Sequence, residues 1–166
     1  MKKIICRDIH GEQSEHMAQD LIFRPSVYAV IICDGKVLLS RQWDGYDFPG
    51  GGIKKGERIY EALRREVHEE VGIVIKESTL ISCTDDFFVS PRDGRLLHSI
   101  LMYYACDRYS GDPHIDNLVE DEKNYISGFE WVDIQSLNAV KFYNGVDSIA
   151  LVQKSVRLLQ NNRKNN

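Results

Sequence analysis

The sequence predicts an α/β (α+β) fold, a mixed β-sheet with helices packed on opposite faces. Three observations carry this. Short apolar, β-branched runs recur along most of the chain and are bounded by turn signals. Only two stretches carry the three-to-four-residue apolar spacing of an amphipathic helix, one in mid-chain and one near the C-terminus. Strands interleaved with two separated helices leave each helix a sheet face on which to bury its stripe. Periodicity does not extend to the strand order.

Residues 2–9 alternate weakly and fit an edge strand, and residues 11–19 are polar and fit a loop or short turn. Residues 26–33 (SVYAVIIC) form a buried strand, Asp34-Gly35 is a hairpin signal, and residues 36–41 (KVLLSR) are the return strand. Residues 42–47 lead into Pro49-Gly50-Gly51-Gly52, a forced loop, because proline fixes φ and glycine tolerates conformations closed to other residues. Residues 59–71 turn helical, and Gly72 stands where a left-handed residue ends a helix. At about 100° per residue, Ile59, Leu63 and Val67 form one stripe flanked by Tyr60 and Ala62, with Glu61, Arg64, Arg65 and His68 opposite.

Strands follow at residues 73–75 and 80–89 around a polar break at 76–79, then a turn at 91–94 and a long apolar strand at 96–106. Residues 107–124 read as an acidic loop without periodicity, 129–132 as a short strand and 133–137 as a helical turn. In residues 147–159, Ile149, Val152, Val156 and Leu159 recur at helical spacing. Residues 161–166 are expected to fray.

At 166 residues the chain (1–166) is expected to be one domain with a real core, residues 1–24 being an N-terminal extension that matches no pattern. Its apolar content of 43% and charged content of 28% are ordinary for a globular protein. A net charge of −4 offers no footprint for duplex nucleic acid, so an anionic ligand needs positive charge concentrated locally. Cys6, Cys33, Cys83 and Cys106 lie far apart without a CxxC or Cys/His cluster, which fits free thiols in a cytoplasmic protein better than zinc. The N-terminus lacks the apolar run of a secretory signal, and no stretch approaches a membrane span.

Chemistry concentrates in residues 51–73, GGIKKGERIYEALRREVHEEVGI. Glu66 and Glu70 are spaced i, i+4 and Glu69 lies one turn from Glu66, so three like charges cluster at the edge of the apolar stripe. Carboxylates near a core are costly unless paired or metal-bound. Arg65 reaches Glu69 at i+4, yet one guanidinium does not neutralise three carboxylates, whereas a hard divalent cation does. Alone, the run also reads as a solvated acidic helix edge. The glycine loop, Glu57 and the closing Gly72 weigh against that reading.

Gly51, Glu57, Arg65-Glu66, aliphatic Val67, Glu69-Glu70, Gly72 and aliphatic Ile73 stand in the frame of the Nudix box, with no position departing from it. The chain therefore resembles a Nudix hydrolase, specifically over residues 26–137. The resemblance implies an α/β/α sandwich with a mixed sheet, and hydrolysis of a nucleoside diphosphate linked to another moiety. It implies Mg²⁺, with Mn²⁺ as an alternative. Glu66, Glu69 and Glu70 map onto positions that bind metal or deprotonate water, and Gly50 onto a carbonyl that often ligates metal. Glu57 and Arg65 read as orienters of loop and helix.

The general base in such enzymes lies either in the box or on a later loop, where this chain offers Glu120, Asp121 and Glu122; Glu122 is preferred here. Arg41, ending the strand before the glycine loop, is the candidate phosphate contact, against a plain surface ion pair. Trp43, Phe87 and Phe88 are candidates to stack a base, and alternation lets at most one of the two phenylalanines face the pocket. No marker selects a subfamily. The partner implied is a small-molecule nucleotide, such as a modified nucleoside triphosphate, with no duplex nucleic acid or membrane; a homodimer is left open. A nucleotide-sensing domain without turnover is the alternative, and the complete box stands against it.

Overall fold

Alternation along one long strand sorts the core. The computed structural model describes residues 2–164. In it, β3 (Ile22–Cys33) sends Val27, Ala29 and Ile31 to one sheet face and Val30 to the other, with Tyr28 and Ile32 packed beside Val30. Its hairpin partner β4 (Lys36–Gln42) repeats the division, with Leu38 on the first face and Val37 and Leu39 on the second. Each face then takes one helix. α1 (Ile59–Val71) seats Ala62, Leu63, Val67 and Val71 on the first. α2 (Ser148–Lys164) seats Leu151, Val152 and Leu159 on the second. Each fully buried aliphatic side chain contributes roughly 1.5–3 kcal/mol relative to exposure, so both helices are held by packing.

The other strands are β1 (Lys3–Arg7), β2 (Gln13–Met17), β5 (Gly45–Asp47), β6 (Gly50–Gly52), β7 (Val74–Val89), β8 (Leu96–Ser110) and β9 (Ile126–Asp133). The sheet order is β2-β1-β7-β8-β3-β4-β5, with β6 paired to β3 and β9 to β4. β1–β7 and β3–β8 run parallel and the other pairs antiparallel, so the sheet is mixed as expected.

Several elements differ from their sequence reading. The polar segment 11–19 contains β2, an edge strand exposed along most of its length, so no apolar face marked it. The break at 76–79 is absent: β7 is continuous, and its polar stretch is absorbed by register shifts between Ile75 and Ser82. β8 takes the first residues of the acidic loop, and Glu122–Asn124 form a 3₁₀ turn. α1 has the predicted bounds but a rotated stripe. Ile59 and Tyr60 are exposed, while Glu66 and Glu70 share the buried face. Gly72 ends it at φ +74, and a Cβ there would lie 2.4 Å from the His114 ring. α2 runs to Lys164; the rest of the expected frayed end lies outside the described residues.

Candidate active site

β6 lays the glycine loop against β3, with Gly51 opposite Val27 and Gly50 opposite Tyr28. This brings the loop onto α1 so closely that a Cβ on Gly51 would stand 2.6 Å from Glu66 Oε2. Glycine is required there by the carboxylate. One turn on, Glu70 Oε2 accepts the Gly50 N–H at 3.2 Å. Glu66 is 6% and Glu70 2% exposed. Burial, reinforced by Glu122, Glu66 and Asp47 against the opposing Gly50 N–H, pushes the Glu70 carboxyl well above the usual carboxylate range. Burial also raises Glu66, with Arg65 opposing it.

Arg65 does not point to solvent as the helical projection suggested. Its long side chain folds back along the helix. Nε and Nη2 donate to the two oxygens of Glu57 at 2.7 and 2.8 Å, Nη1 to Glu66 at 2.7 Å and Glu69 at 3.0 Å, and Nη2 also to the Gly52 carbonyl at 3.1 Å. The Arg65 hydrogen bonds hold Glu57 down at about 2. Glu57 also accepts the Lys54 N–H at 3.0 Å, so this pair ties loop and helix together.

The later loop contributes Glu122. Its carboxylate, with those of Glu66 and Glu69, presents oxygens all within 4.8 Å of one another. Glu122 Oε2 is buried without a hydrogen-bond partner among the described residues, and burial followed by the Glu66 charge raises its carboxyl. The loop is pinned rather than loose. Leu118 is buried, Asn117 donates to the His68 carbonyl at 3.1 Å, and the His114 N–H to Val71 at 3.0 Å. Glu120 and Asp121 point to solvent, Glu120 pairing with Lys123 at 2.9 Å. An all-oxygen set with an orphaned buried acceptor and one shared arginine fits a hard divalent cation such as Mg²⁺, which Glu66, Glu69 and Glu122 would hold. Glu70 lies beside this set on the glycine loop.

Arg41 is not brought to these carboxylates. It is exposed, donates to Glu130 at 2.7 Å, and lies over the Tyr46 ring. The cations on the cleft wall are Arg24, Arg92 and Arg7. Arg24 packs so that a Cβ on Gly52 would come within 3.0 Å of its Nε, and it acts electrostatically on Glu66. Sequence reasoning missed it because β3 begins four residues before the apolar run that marked the strand. Trp43 reaches the cleft and stacks on Tyr125 at 5.2 Å, with Arg92 over Tyr125 at 4.9 Å. Of the two phenylalanines, Phe88 lines the cleft, while Phe87 packs on His98 at 4.7 Å.

None of the described helices is long and apolar enough to cross a membrane. The NUDIX domain model matches residues 22–150. The chain is 35% identical over 124 residues to the nucleoside triphosphatase NudI of Salmonella agona (strain SL483), covering 69% of this chain and 84% of that protein. It is 41% identical over 63 residues to the RNA pyrophosphohydrolase of Haemophilus ducreyi (strain 35000HP / ATCC 700724), covering 36% of this chain and 32% of that one. The chain thus spans about a third of that relative's length. Among solved structures, it shares its fold with the MutT NUDIX hydrolase from Burkholderia pseudomallei, at TM-score 0.58 and 20% identity over 81% of this chain and 98% of that one. An ADP-ribose pyrophosphatase from Streptococcus suis gives 0.56 and 16%, over 82% and 92%. The domain match over most of the chain, together with a relative aligned along most of its length, shows that this chain belongs to the Nudix hydrolase family.

Proposed function

We propose that this protein hydrolyses a pyrophosphate linkage in a nucleoside diphosphate derivative, a nucleoside triphosphate or modified form of one being the leading substrate class. The observation that carries this reading is the meeting of Glu122 with Glu66 and Glu69, from segments more than fifty residues apart, within 4.8 Å in one cleft. A divalent cation bound there, Mg²⁺ before Mn²⁺, would supply charge neutralisation at the phosphoryl oxygens and a water of lowered pKa. Glu66, Glu69 and Glu122 would hold that cation, with Glu70 from α1 and the Gly50 carbonyl from the glycine loop completing the set. Arg24 faces the phosphate chain from the strand side. Arg65 and Glu57 keep the box carboxylates converged, so that orientation is set before substrate arrives.

The proton of the attacking water goes to a carboxylate that is not saturated by the protein. Glu122 is favoured, because its buried Oε2 has no partner among the described residues. Arg65 already occupies Glu66 Oε1. The NudI and RNA pyrophosphohydrolase relatives support the reaction class. Four free cysteines accord with a cytoplasmic setting. The test is release of phosphate or pyrophosphate from a panel of nucleotides with Mg²⁺, with and without excess chelator. Turnover confined to the Mg²⁺ arm is expected. Turnover undiminished in chelator contradicts the mechanism, and nucleotide binding without any turnover converts the reading into that of a sensing domain.

A further inference from the structure

The matched domain begins at residue 22, yet the cleft does not. Arg7 and Ile9, from β1 and the turn after it, line its wall. β1 reaches this position by pairing parallel to β7, Arg7 lying opposite Phe88. Arg7 Nη2 donates to Asp86 at 2.6 Å, and its guanidinium lies 4.9 Å over the Phe88 ring. Nearby, Asp47 Oδ1 accepts from Asn144 Nδ2 at 2.8 Å and from the Phe48 N–H at 2.7 Å, which leaves its other oxygen without a partner among the described residues. Tyr103 lies within electrostatic reach of Asp47, Asp86 and Arg7 and is fully buried, its ring stacked on Tyr28 at 5.3 Å and edge-on to Phe48 at 5.9 Å. Tyr103 lines the cleft, and its buried hydroxyl has no hydrogen-bond partner among the described residues; neither does the buried Nε of Arg7.

Two orphaned donors beside a half-used carboxyl form an incomplete hydrogen-bond set, and buried polar groups are left unpaired only at a cost. The set mixes donors and acceptors, and its one cation is already neutralised by Asp86. A phosphate gains nothing there. An uncharged ring with alternating donor and acceptor atoms fits it.

We infer that the N-terminal β1–β2 hairpin completes the substrate cleft, and that Arg7, Asp47, Asp86, Tyr103 and Asn144 form a subsite for the nucleobase of the substrate. This rests on the phosphate chain lying at the carboxylates, as in the proposed function. The base then lies along the Tyr28–Tyr103 side, and the hairpin contributes to base selection as well as extending the sheet.

Tyr103→Phe tests the subsite cleanly, because it removes a hydroxyl that bonds nothing among the described residues and so costs the fold none of their hydrogen bonds. Arg7→Lys tests the hairpin, keeping the charge beside Asp86 while losing the Nε–H. For each variant and the unaltered protein, kcat/KM is measured with ATP, GTP, CTP, UTP and, as a ringless reference, inorganic tripolyphosphate. The preference for the best nucleotide over tripolyphosphate is expected to fall about tenfold in each variant, the size of one hydrogen bond to a ring atom. An unchanged preference in Tyr103→Phe overturns the subsite, and an unchanged preference in Arg7→Lys alone overturns the part assigned to the hairpin. If the unaltered protein hydrolyses nothing, the proposed function fails instead. Equilibrium binding of non-hydrolysable triphosphates to the same variants then reads the subsite directly, by the same tenfold criterion.

Discussion

The two helices cover opposite faces of one sheet, and they spend their buried positions differently. α2 buries Leu151, Val152 and Leu159, and the two buried polar side chains among its described residues are satisfied, the Ser148 hydroxyl donating to Asn144 Oδ1 at 2.7 Å and the Ser155 hydroxyl to the Leu151 carbonyl at 2.9 Å. α1 buries Ala62, Leu63, Val67 and Val71, but gives two further buried positions to Glu66 and Glu70. Those carboxyls are raised by burial, which means that folding resists their charge. A helix chosen for stability alone would carry apolar groups there. The contrast separates a helix buried for packing alone from one that also buries ionisable groups, the pattern expected where stability is exchanged for chemistry.

Exchanging single residues between these roles gives the largest effects. Leu151→Ala should cost about 2–5 kcal/mol of stability, with little change in kcat for the molecules that remain folded. Glu70→Gln should do the reverse, lowering kcat by about two orders of magnitude while the stability of the metal-free protein holds or rises. Denaturant unfolding and steady-state kinetics on both variants check this. A sharp loss of metal-free stability in Glu70→Gln would make that carboxylate a structural residue and dissolve the contrast.

Glu57→Gln should follow at a smaller size. Its carboxylate binds Arg65 and the Lys54 N–H rather than the oxygens that converge with Glu122, so kcat should fall less than in Glu70→Gln. An equal loss would move Glu57 among the cation ligands.

A smaller effect still is expected on the α2 side of the cleft. Burial raises Asp47 from 3.8 to about 6. A carboxyl whose folded value is raised stabilises the fold while protonated, so this contribution is complete below its ordinary value and is lost as pH rises through about 6. Thermal unfolding of the metal-free protein should therefore show stability declining over that window, and Asp47→Asn should flatten part of the slope. An identical slope in the variant removes Asp47 from the account.

The regular elements and the box were legible because each leaves a period or a spacing. β3, β4 and α1 show alternating or helical burial, and the positions of Gly51 and Gly72 follow from close approach and a left-handed cap. What stayed hidden has a common physical reason. β2 is exposed on both faces and so has no period, and β7 carries its polar stretch through bulges. Arg65 was projected outward because a helical wheel places Cβ atoms, not the end of a long side chain. Arg24, Arg7, Asp47 and Tyr103 meet only through sheet order, which no local pattern encodes. Glu122 was preferred among three neighbouring acids on sequence alone, and its burial is the physical difference that separates it from exposed Glu120 and Asp121.

The central claim is that Glu122 joins Glu66 and Glu69 to hold a divalent cation. It is tested most directly by titrating Mg²⁺, and Mn²⁺ in parallel, into the protein by calorimetry, with Glu122→Gln and Glu120→Gln as a matched pair. Saturable binding is predicted for the unaltered protein, weakened at least about tenfold in Glu122→Gln and unchanged in Glu120→Gln, whose side chain points to solvent and pairs with Lys123. No saturable binding, or equal affinity in both variants, would contradict it.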